Sequence, residues 1–432
     1  MFMKKRIYML AAVLMVFAML VSCGDGGGTG SGGGASAGND ANNDRFAKLD
    51  DANIKVLYWV SEAQYNQDKS ELENYYNSVW DAKAEFESKY GGKVEFIITP
   101  WDQTTTSLIT MINTGDVPDV VNVHNQNFPL WPAKNAVQPL DEYLDFSSGN
   151  FNPVVTNAYT FGGKKYAAGS SVAPVLIYYN KTLFEENAVK DPGAYYKEGK
   201  WNWEAFKTCG KEMTYDDISG FAWWEIYMQL IYSNGGQLFK YNDDESISVT
   251  LTDEASLEAL KFYQDGILTD KFINATFEGS SFISAFENGK VAMSAEYSLG
   301  KYGNTRYDIG VVPFPTGPKG QTDAGPGGCS GWGLATGAKN PKGGAAFVWM
   351  IGGKEKKSIS EDLYNRFDKA DVDMYLRCAQ KVNYTPDSGV SDFFVAQFES
   401  LTSLKSGTSI STVAAAFQTA LENSIKKTFE AS

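Results

Sequence analysis

Side chains able to do covalent or metal chemistry are few in this 432-residue chain. It holds one histidine, His124, and four cysteines: Cys23, Cys209, Cys329 and Cys378. Histidine-rich zinc sites and the H-E-x-x-H protease helix therefore lack their residues, and no C-x-x-C pair exists. A Ser-His-Asp triad could recruit only His124. Beyond Cys23, three cysteines allow at most one internal disulfide, and the sequence does not select the pair. No metal site and no cofactor is expected. The abundant groups are aromatic, with 10 Trp, 24 Tyr and 26 Phe. Such a chain is equipped to recognise rather than to transform.

The exception is Cys23. Lys4, Lys5 and Arg6 precede an uncharged stretch from Ile7 to Val21, the order of a secretory signal. Fifteen apolar residues fall short of the roughly 20 that span a bilayer, so a retained anchor helix is the weaker reading. Leu20-Val21-Ser22-Cys23 resembles a lipobox, the bacterial signal for attaching lipid to a cysteine and cleaving before it. Residues 1–22 are then a lipoprotein signal peptide, and Cys23 is the lipidated mature N-terminus. Residues 23–43, rich in Gly and Ser, read as a flexible tether reaching ~25 Å. Within it, Gly34-Ala-Ser-Ala-Gly38 matches the G-x-S-x-G pattern but lacks the flanking strand and helix that strain a nucleophilic serine.

Charge narrows the partners. The whole chain carries a net charge of −14; losing the three basic residues of the leader leaves 35 Lys+Arg against 52 Asp+Glu, or −17. This balance argues against nucleic acid as a partner, since that needs a basic footprint. Attraction to anionic lipid is disfavoured as well, so the lipid itself must hold the chain at a membrane. The length favours two lobes over one core.

The elements that would position a site follow from hydrophobic patterning. Ile54-Lys-Val-Leu-Tyr-Trp-Val60, Lys93-Val-Glu-Phe-Ile-Ile-Thr99 and Asp119-Val-Val-Asn-Val123 read as strands. Between the first two, Leu72, Tyr75, Tyr76, Val79, Phe86 and Tyr90 mark a helix stopped by Gly91-Gly92. Between the second and third, Asp102 can cap a helix carrying Leu108, Ile109 and Ile112. Alternation of this kind implies parallel strands with right-handed crossovers, and ligands bind beyond the carboxyl ends of such strands. Trp59 to Glu62 and His124 to Asn127 should therefore share one sheet edge. Later come a strand at Val175–Tyr179, a helix from Asp253 ended by Gly266 and a strand at Val291–Ala295. Val413, Phe417, Leu421, Ile425 and Phe429 then mark a closing amphipathic helix.

Several segments, taken in order, carry a resemblance. They are Gly115-Asp-Val-Pro-Asp-Val-Val121, Val137-Gln-Pro-Leu-Asp-Glu-Tyr143, Tyr178-Tyr-Asn-Lys-Thr-Leu-Phe-Glu185 and Trp201-Asn-Trp-Glu-Ala-Phe206. Asn234-Gly-Gly-Gln-Leu-Phe239, Phe286-Glu-Asn-Gly-Lys-Val-Ala-Met293, Val311-Val-Pro-Phe-Pro-Thr-Gly-Pro318 and Gly331-Trp-Gly-Leu-Ala335 complete the series. Across roughly residues 50–350 the chain resembles the extracellular solute-binding proteins of sugar ABC transporters, the class containing maltose-binding protein. Residues 352–412 look less like that family.

The resemblance implies a periplasmic-binding-protein-like α/β fold of type II. Two lobes, 44–174 plus 295–337 and 175–294 plus 338–432, would be joined by a hinge with a ligand cleft between them. Chain crossings are implied near Pro174–Tyr178, Met293–Glu296 and Thr336–Asn340. A monomer would close around a carbohydrate and deliver it to a membrane permease driven by a separate ATPase, since this chain lacks the G-x-x-x-x-G-K-[ST] loop. No catalysis is expected. Two alternatives stay open: the same fold binding a polyamine or another non-sugar solute, and a surface glycoside hydrolase. The second needs two carboxylates ~5–9.5 Å apart.

A sugar ring has an apolar C–H face and a rim of hydroxyls, suiting aromatic and amide or carboxylate side chains respectively. By the resemblance, Trp59 and Glu62 enter the cleft after the first strand, and His124, Asn125 and Asn127 after the third. Trp223 and Trp224 precede the Asn-Gly-Gly segment, where the family places aromatic contacts; adjacent residues on a strand face opposite ways, so at least one should be structural. Glu296 and Tyr297 follow the Gly-Lys-Val-Ala-Met strand. Trp332, between two glycines, is expected in the cleft, whereas Trp101, Trp131, Trp201 and Trp203 are expected to pack internally.

Overall fold

The computed structural model describes residues 41–64, 77–148, 151–169, 172–224, 226–277, 281–297, 299, 302, 305–353, 364 and 367–430. The signal peptide, Cys23, most of the expected tether and the start of the first expected helix lie outside them. Where the described chain begins, Ala41–Arg45 is already a short helix. Asn42 is buried there, and its amide group exchanges hydrogen bonds with the backbone of Asp145 at 2.8 and 2.9 Å. The folded part thus starts before residue 44, because this amide pairs with a main chain that would otherwise lack partners.

The strands, in chain order, are β1 (Ile54–Tyr58), β2 (Val94–Ile98), β3 (Val120–Val123), β4 (Val137–Gln138), β5 (Thr160–Phe161), β6 (Lys164–Lys165), β7 (Val172–Pro174) and β8 (Leu176–Asn180). After them come β9 (Ser219–Phe221), β10 (Phe239–Tyr241), β11 (Ile247–Val249), β12 (Val291–Glu296), β13 (Ile309–Pro313), β14 (Gly327–Cys329) and β15 (Gly331–Ala335). The first sheet has the order β2-β1-β3-β15-β4, and the second β13-β8-β12-β9. The Val/Ile-rich runs β1, β2 and β3 are parallel neighbours, with Val56 opposite Val120 and Tyr58 opposite Ile98. β1 and β3 are buried along most of their length and need no polar alternation, whereas β2, at the sheet edge, leaves Glu95 and Ile98 exposed.

Between the sheets lies a two-stranded ribbon, β7 against β14, with Val172 opposite Cys329 and Pro174 opposite Gly327. On one side, β7 runs directly into β8 of the second sheet. On the other, β14 runs directly into β15 of the first. This ribbon is the connection between the two sheets.

Two parts of the expected lobe division differ from the observed packing. The 295–337 segment was to follow the first lobe, yet β13 pairs along its length with β8 in the second sheet. Before it, Tyr302 stays in that second unit, its ring 5.1 Å from Tyr178 and its hydroxyl 2.9 Å from Ser294. The crossing expected near Met293–Glu296 therefore falls later, at β14. Likewise the helix Pro341–Gly352, assigned to the second lobe, packs on the first sheet: Phe347, Trp349 and Ile351 share a buried cluster with Ile54, Phe86 and Val120. Asn340 does not open a crossing; its side chain caps this helix by accepting from Gly343 N at 2.9 Å.

Other helices hold closer to their patterns. Ile410–Glu430 buries Val413, Phe417 and Leu421. The helix Glu254–Leu268 runs through Gly266 rather than ending there. A Cβ on Gly266 would lie 2.5 Å from Ile273, so the glycine serves close packing, not termination. Asp102 does not cap the helix Thr104–Thr114; it sits in a 3₁₀ turn, Trp101–Gln103, before it.

Candidate functional site

The parallel register of β2, β1 and β3 places their carboxyl ends on one edge of the first sheet. Trp59 leaves β1, Trp101 leaves β2, and His124 to Asn127 leave β3. Their side chains meet. Trp59 and Trp101 pack edge to face with ring centroids 5.0 Å apart, and Trp101 stacks on His124 at 3.4 Å. Both tryptophans are half-buried.

His124 is 1% exposed and held within the protein. Gln126 N donates to its Nδ1 at 3.4 Å, which leaves Nε2–H to donate to Thr104 Oγ1 at 3.3 Å. The Thr104 hydroxyl donates onward to Trp101 O at 3.0 Å. Burial pushes the imidazole well below its ordinary pKa of 6.5, so the ring is neutral near pH 7. Its role here is to brace Trp101.

The amides around it are incompletely paired. Asn127 Oδ1 accepts from His124 N at 2.9 Å, but Asn127 Nδ2 is buried with no partner among the described residues. Asn125 Oδ1 is in the same position. So is Asn122 Oδ1, although Asn122 Nδ2 donates to Gly331 O at 3.2 Å. Buried polar atoms almost always find partners, and each that does not costs about 1–3 kcal/mol. A concentration of them at one sheet edge is what a polar ligand would complete.

The second sheet presents a matching edge. Strands β9 and β12 run parallel, with Met293 opposite Phe221, so Trp223, Trp224, Glu296 and Tyr297 emerge at the same end. Trp223 is buried, its ring 5.7 Å from Tyr297 and 6.0 Å from the half-buried Trp224. One of the two tryptophans is thus internal, as their adjacency requires. Gln229 Nε2 donates to the Tyr297 hydroxyl at 3.3 Å. Gln229 Oε1 and Trp223 Nε1 are buried without partners among the described residues. Glu296 is half-buried, and one of its oxygens accepts from Tyr297 N at 3.1 Å.

Both edges face the connecting ribbon. In the second sheet, Glu296 lies opposite Leu176, the first residue of β8 and two beyond the ribbon. In the first, Val123 lies opposite Gly331, which again adjoins it. The two aromatic and amide edges therefore flank the same hinge-side cleft.

Two expected residues fall elsewhere. Trp332 is 3% exposed and buried in the first lobe's core, its ring 5.0 Å from Tyr58. Strand alternation sets Trp332 and Leu334 on one face, toward the helix layer. The flanking glycines serve the backbone: a Cβ on Gly333 would meet Tyr166 O at 2.4 Å. Glu62 is exposed at the rim. Trp101, expected to pack internally, does pack against Trp59 and His124, but it is half-buried and sits at this same edge. The signal for it was present, since it follows β2 as Trp59 follows β1.

Two surface cavities, about 690 and 430 Å³, contain none of the expected contacts. The larger is walled by Trp201 and Trp203, whose ring N–H groups already donate to Pro313 O and Ser233 Oγ. Neither indole N–H is left to recognise a ligand there, whereas the cleft edges hold buried polar atoms without partners among the described residues. Cys209, Cys329 and Cys378 are buried, unbridged thiols. Burial raises Cys209 and Cys378 to about 12, so neither is a thiolate near neutrality. Among the described residues no group of three His, Cys, Asp or Glu could hold a metal ion.

Comparison with known proteins agrees with this architecture. The family model for bacterial extracellular solute-binding proteins matches residues 69–357, and the chain belongs to that family. A putative binding protein of Brucella abortus is 25% identical over 262 residues, covering 56% of this chain and 61% of the relative. The chain thus spans less than two thirds of that relative's length. The maltodextrin-binding protein MdxE of Bacillus subtilis is 23% identical over 284 residues, 62% of this chain and 65% of the relative. The fold matches that of an ABC substrate-binding protein from Listeria monocytogenes in complex with cycloalternan. That match has a TM-score of 0.65 and 16% identity, covering 87% of this chain and 100% of the other.

Proposed function

We propose that this protein captures a carbohydrate, an oligosaccharide in preference to a single sugar, in the cleft between its two sheets and hands it to an ABC permease. The observation that carries the reading is the pairing of edges. Each presents half-buried aromatic rings, Trp59 and Trp101 on one side, Trp224 and Tyr297 on the other. Each also carries buried amide atoms without partners among the described residues, Asn125 Oδ1 and Asn127 Nδ2 in the first lobe and Gln229 Oε1 in the second. Rings offer faces to C–H surfaces, and amides both donate to and accept from hydroxyls. A ligand touching both edges stabilises the closed arrangement over the open one. The β7–β14 ribbon is where the lobes would bend.

The membrane attachment belongs to the same reading. Lipid on Cys23 would hold the receptor at the extracytoplasmic face of the cell membrane, with the Gly/Ser tether letting the folded part reach its permease as a monomer. The polyamine alternative finds little support at the first edge, whose residues are neutral: His124 is uncharged and Asn125, Gln126 and Asn127 are amides. Turnover is not expected, so the protein acts as a receptor and not as a hydrolase.

The test is calorimetric titration of the chain with malto-, chito- and arabino-oligosaccharides, spermidine and amino acids. Saturable 1:1 binding of one glycan, recovered unchanged, is the expected result. Binding of spermidine alone, or recovery of a cleaved glycan, would replace this reading with one of the alternatives.

A further inference from the structure

Residues 384–390, Tyr-Thr-Pro-Asp-Ser-Gly-Val, lie where the family resemblance had faded, yet the structure carries them into the space between the lobes. At its start, Asn383 N donates to Gly325 O at 2.9 Å, beside the connecting ribbon. Next, Thr385 O and Asp387 Oδ2 each accept from the Tyr232 hydroxyl at 3.1 Å, and Pro386 O accepts from the Tyr241 hydroxyl. Tyr232 sits on the helix Ile226–Ser233, one turn beyond Gln229 of the second edge. At its end, Gly389 reaches the first lobe: a Cβ there would lie 2.3 Å from Phe128 O, immediately after the His124–Asn127 loop. One short segment thus touches the ribbon and both lobes. It crosses between the lobes, with Tyr384 and Thr385 lining the 430 Å³ cavity and Asp387 and Ser388 buried.

Two of its polar groups are poorly provided for. Ser388 is 8% exposed, and its Oγ has no partner among the described residues. Asp387 is 4% exposed, with the Tyr232 hydroxyl as a donor and, among the described residues, no lysine or arginine that perturbs its charge. Burying a carboxyl without a counter-charge is costly, and natural proteins rarely keep one that has no use.

We propose that Asp387 and Ser388 are ligand-binding residues on this segment, the ionised Asp387 carboxylate accepting hydrogen bonds from a pair of hydroxyls on the bound glycan. This rests on the carbohydrate reading of the cleft. The carboxylate offers two oxygens with four lone-pair directions, of which the Tyr232 hydroxyl and Asp387's own backbone N–H use two. Adjacent ring hydroxyls present two donors at matching separation.

Proton linkage follows. Burial raises the Asp387 carboxyl to about 7, so half of the ligand-free molecules carry it protonated near neutrality. The titratable groups around it are Tyr232, Tyr241, Tyr384, Tyr159 and Cys329, each pushed upward by burial and uncharged at that pH. Asp387 is the group in this cluster that titrates there. Hydroxyl donors favour its ionised form, so binding must expel the proton. Affinity then falls as pH drops below about 7, by up to about tenfold per unit.

The experiment is calorimetry of the full chain in detergent with maltotetraose, diacetylchitobiose and arabinotriose, from pH 5.5 to 8 in buffers of differing ionisation enthalpy. Wild type, Asp387→Asn and Ser388→Ala are compared. Asparagine keeps an oxygen for Tyr232, and the Ser388 hydroxyl holds nothing in place, so both variants should melt as cooperatively as the wild type. Expected are release of about half a proton at pH 7 by the wild type, at least tenfold weaker and pH-independent binding by Asp387→Asn, and a severalfold loss for Ser388→Ala. Wild-type glycan binding that Asp387→Asn retains in full, or that releases no proton, overturns the assignment while leaving the carbohydrate reading standing. Absence of glycan binding by the folded wild type overturns the carbohydrate reading and this assignment with it.

Discussion

The imidazole of His124 lies flat against Trp101, with centroids 3.4 Å apart and planes inclined by 21°. The buried imidazole thereby supports the half-buried indole, which the proposed reading places against the ligand. With Thr104 bridging the imidazole to Trp101 O, and Trp59 packed edge to face on the same ring, the indole is held in place. Replacing Trp101 by Ala should lower glycan affinity at least tenfold. Titration calorimetry beside thermal unfolding separates that loss from any fall in stability.

His124 itself gives a clean pH test, because the chain has one histidine and therefore one imidazole signal. Its folded pKa is depressed by burial, so the folded state stays unprotonated where the unfolded chain takes up a proton. Stability from this residue is present above the unfolded value of 6.5 and is lost as pH falls below it. The ring resonance should not titrate between pH 8 and 6. In addition, the melting temperature of the wild type should fall from pH 7 to 5 more than that of His124→Gln.

Asp387 has the opposite sign in a ligand-free melt. Its folded pKa, about 7, lies above the unfolded value of 3.8. The folded state holds the extra proton between these values, so its contribution declines as pH rises from about 4 to 7 and is level above that. Asp387→Asn should therefore gain on the wild type across that window, by an amount on the order of 4 kcal/mol for a shift of about three units. Equal melting curves at pH 4.5 and 7.5 would mean the carboxyl is not buried.

Asn125 and Asn127, two residues apart, should behave differently. Asn127 Oδ1 holds His124 N, so Asn127→Ala should cost about 1–3 kcal/mol of stability as well as affinity. Asn125 Oδ1 holds nothing among the described residues, so Asn125→Ala should leave the melting temperature nearly unchanged and weaken glycan binding about tenfold. Chemical denaturation and calorimetry on the pair would show the split.

Trp332 supplies the contrast. As a core side chain against Tyr58, its replacement by Ala should cost about 3–5 kcal/mol. The folded fraction should then bind as the wild type does. A large affinity loss in a stably folded Trp332→Ala would return it to the cleft.

Why some of these positions could be read from sequence and others not has a physical basis. The β-branched runs of β1, β2 and β3 announce buried parallel strands, and the shared edge of Trp59 and His124 follows from their direction alone. Trp332 misled because glycines on either side of an aromatic suggest an open approach. The period of two along β15 instead turned that ring toward the helix layer. Asp102 resembled a helix cap, yet it lies in a 3₁₀ turn and the helix starts at Thr104. The lobe assignments of β13 and the helix Pro341–Gly352 depend on pairing across more than a hundred residues, which local pattern does not carry. The crossing segment 384–390 is the extreme case: it has no periodicity, and only its contacts with Phe128, Tyr232 and Tyr241 reveal its place.

The most direct test of the central claim is a calorimetric titration of the full chain with the oligosaccharide panel. It would be repeated on Asn125→Ala from the first sheet edge and Trp224→Ala from the second. The account predicts one saturable glycan with 1:1 stoichiometry, weakened at least tenfold by either change and recovered intact. A glycan bound equally well by both variants would contradict a site between the two edges, and no glycan binding at all would contradict the carbohydrate assignment.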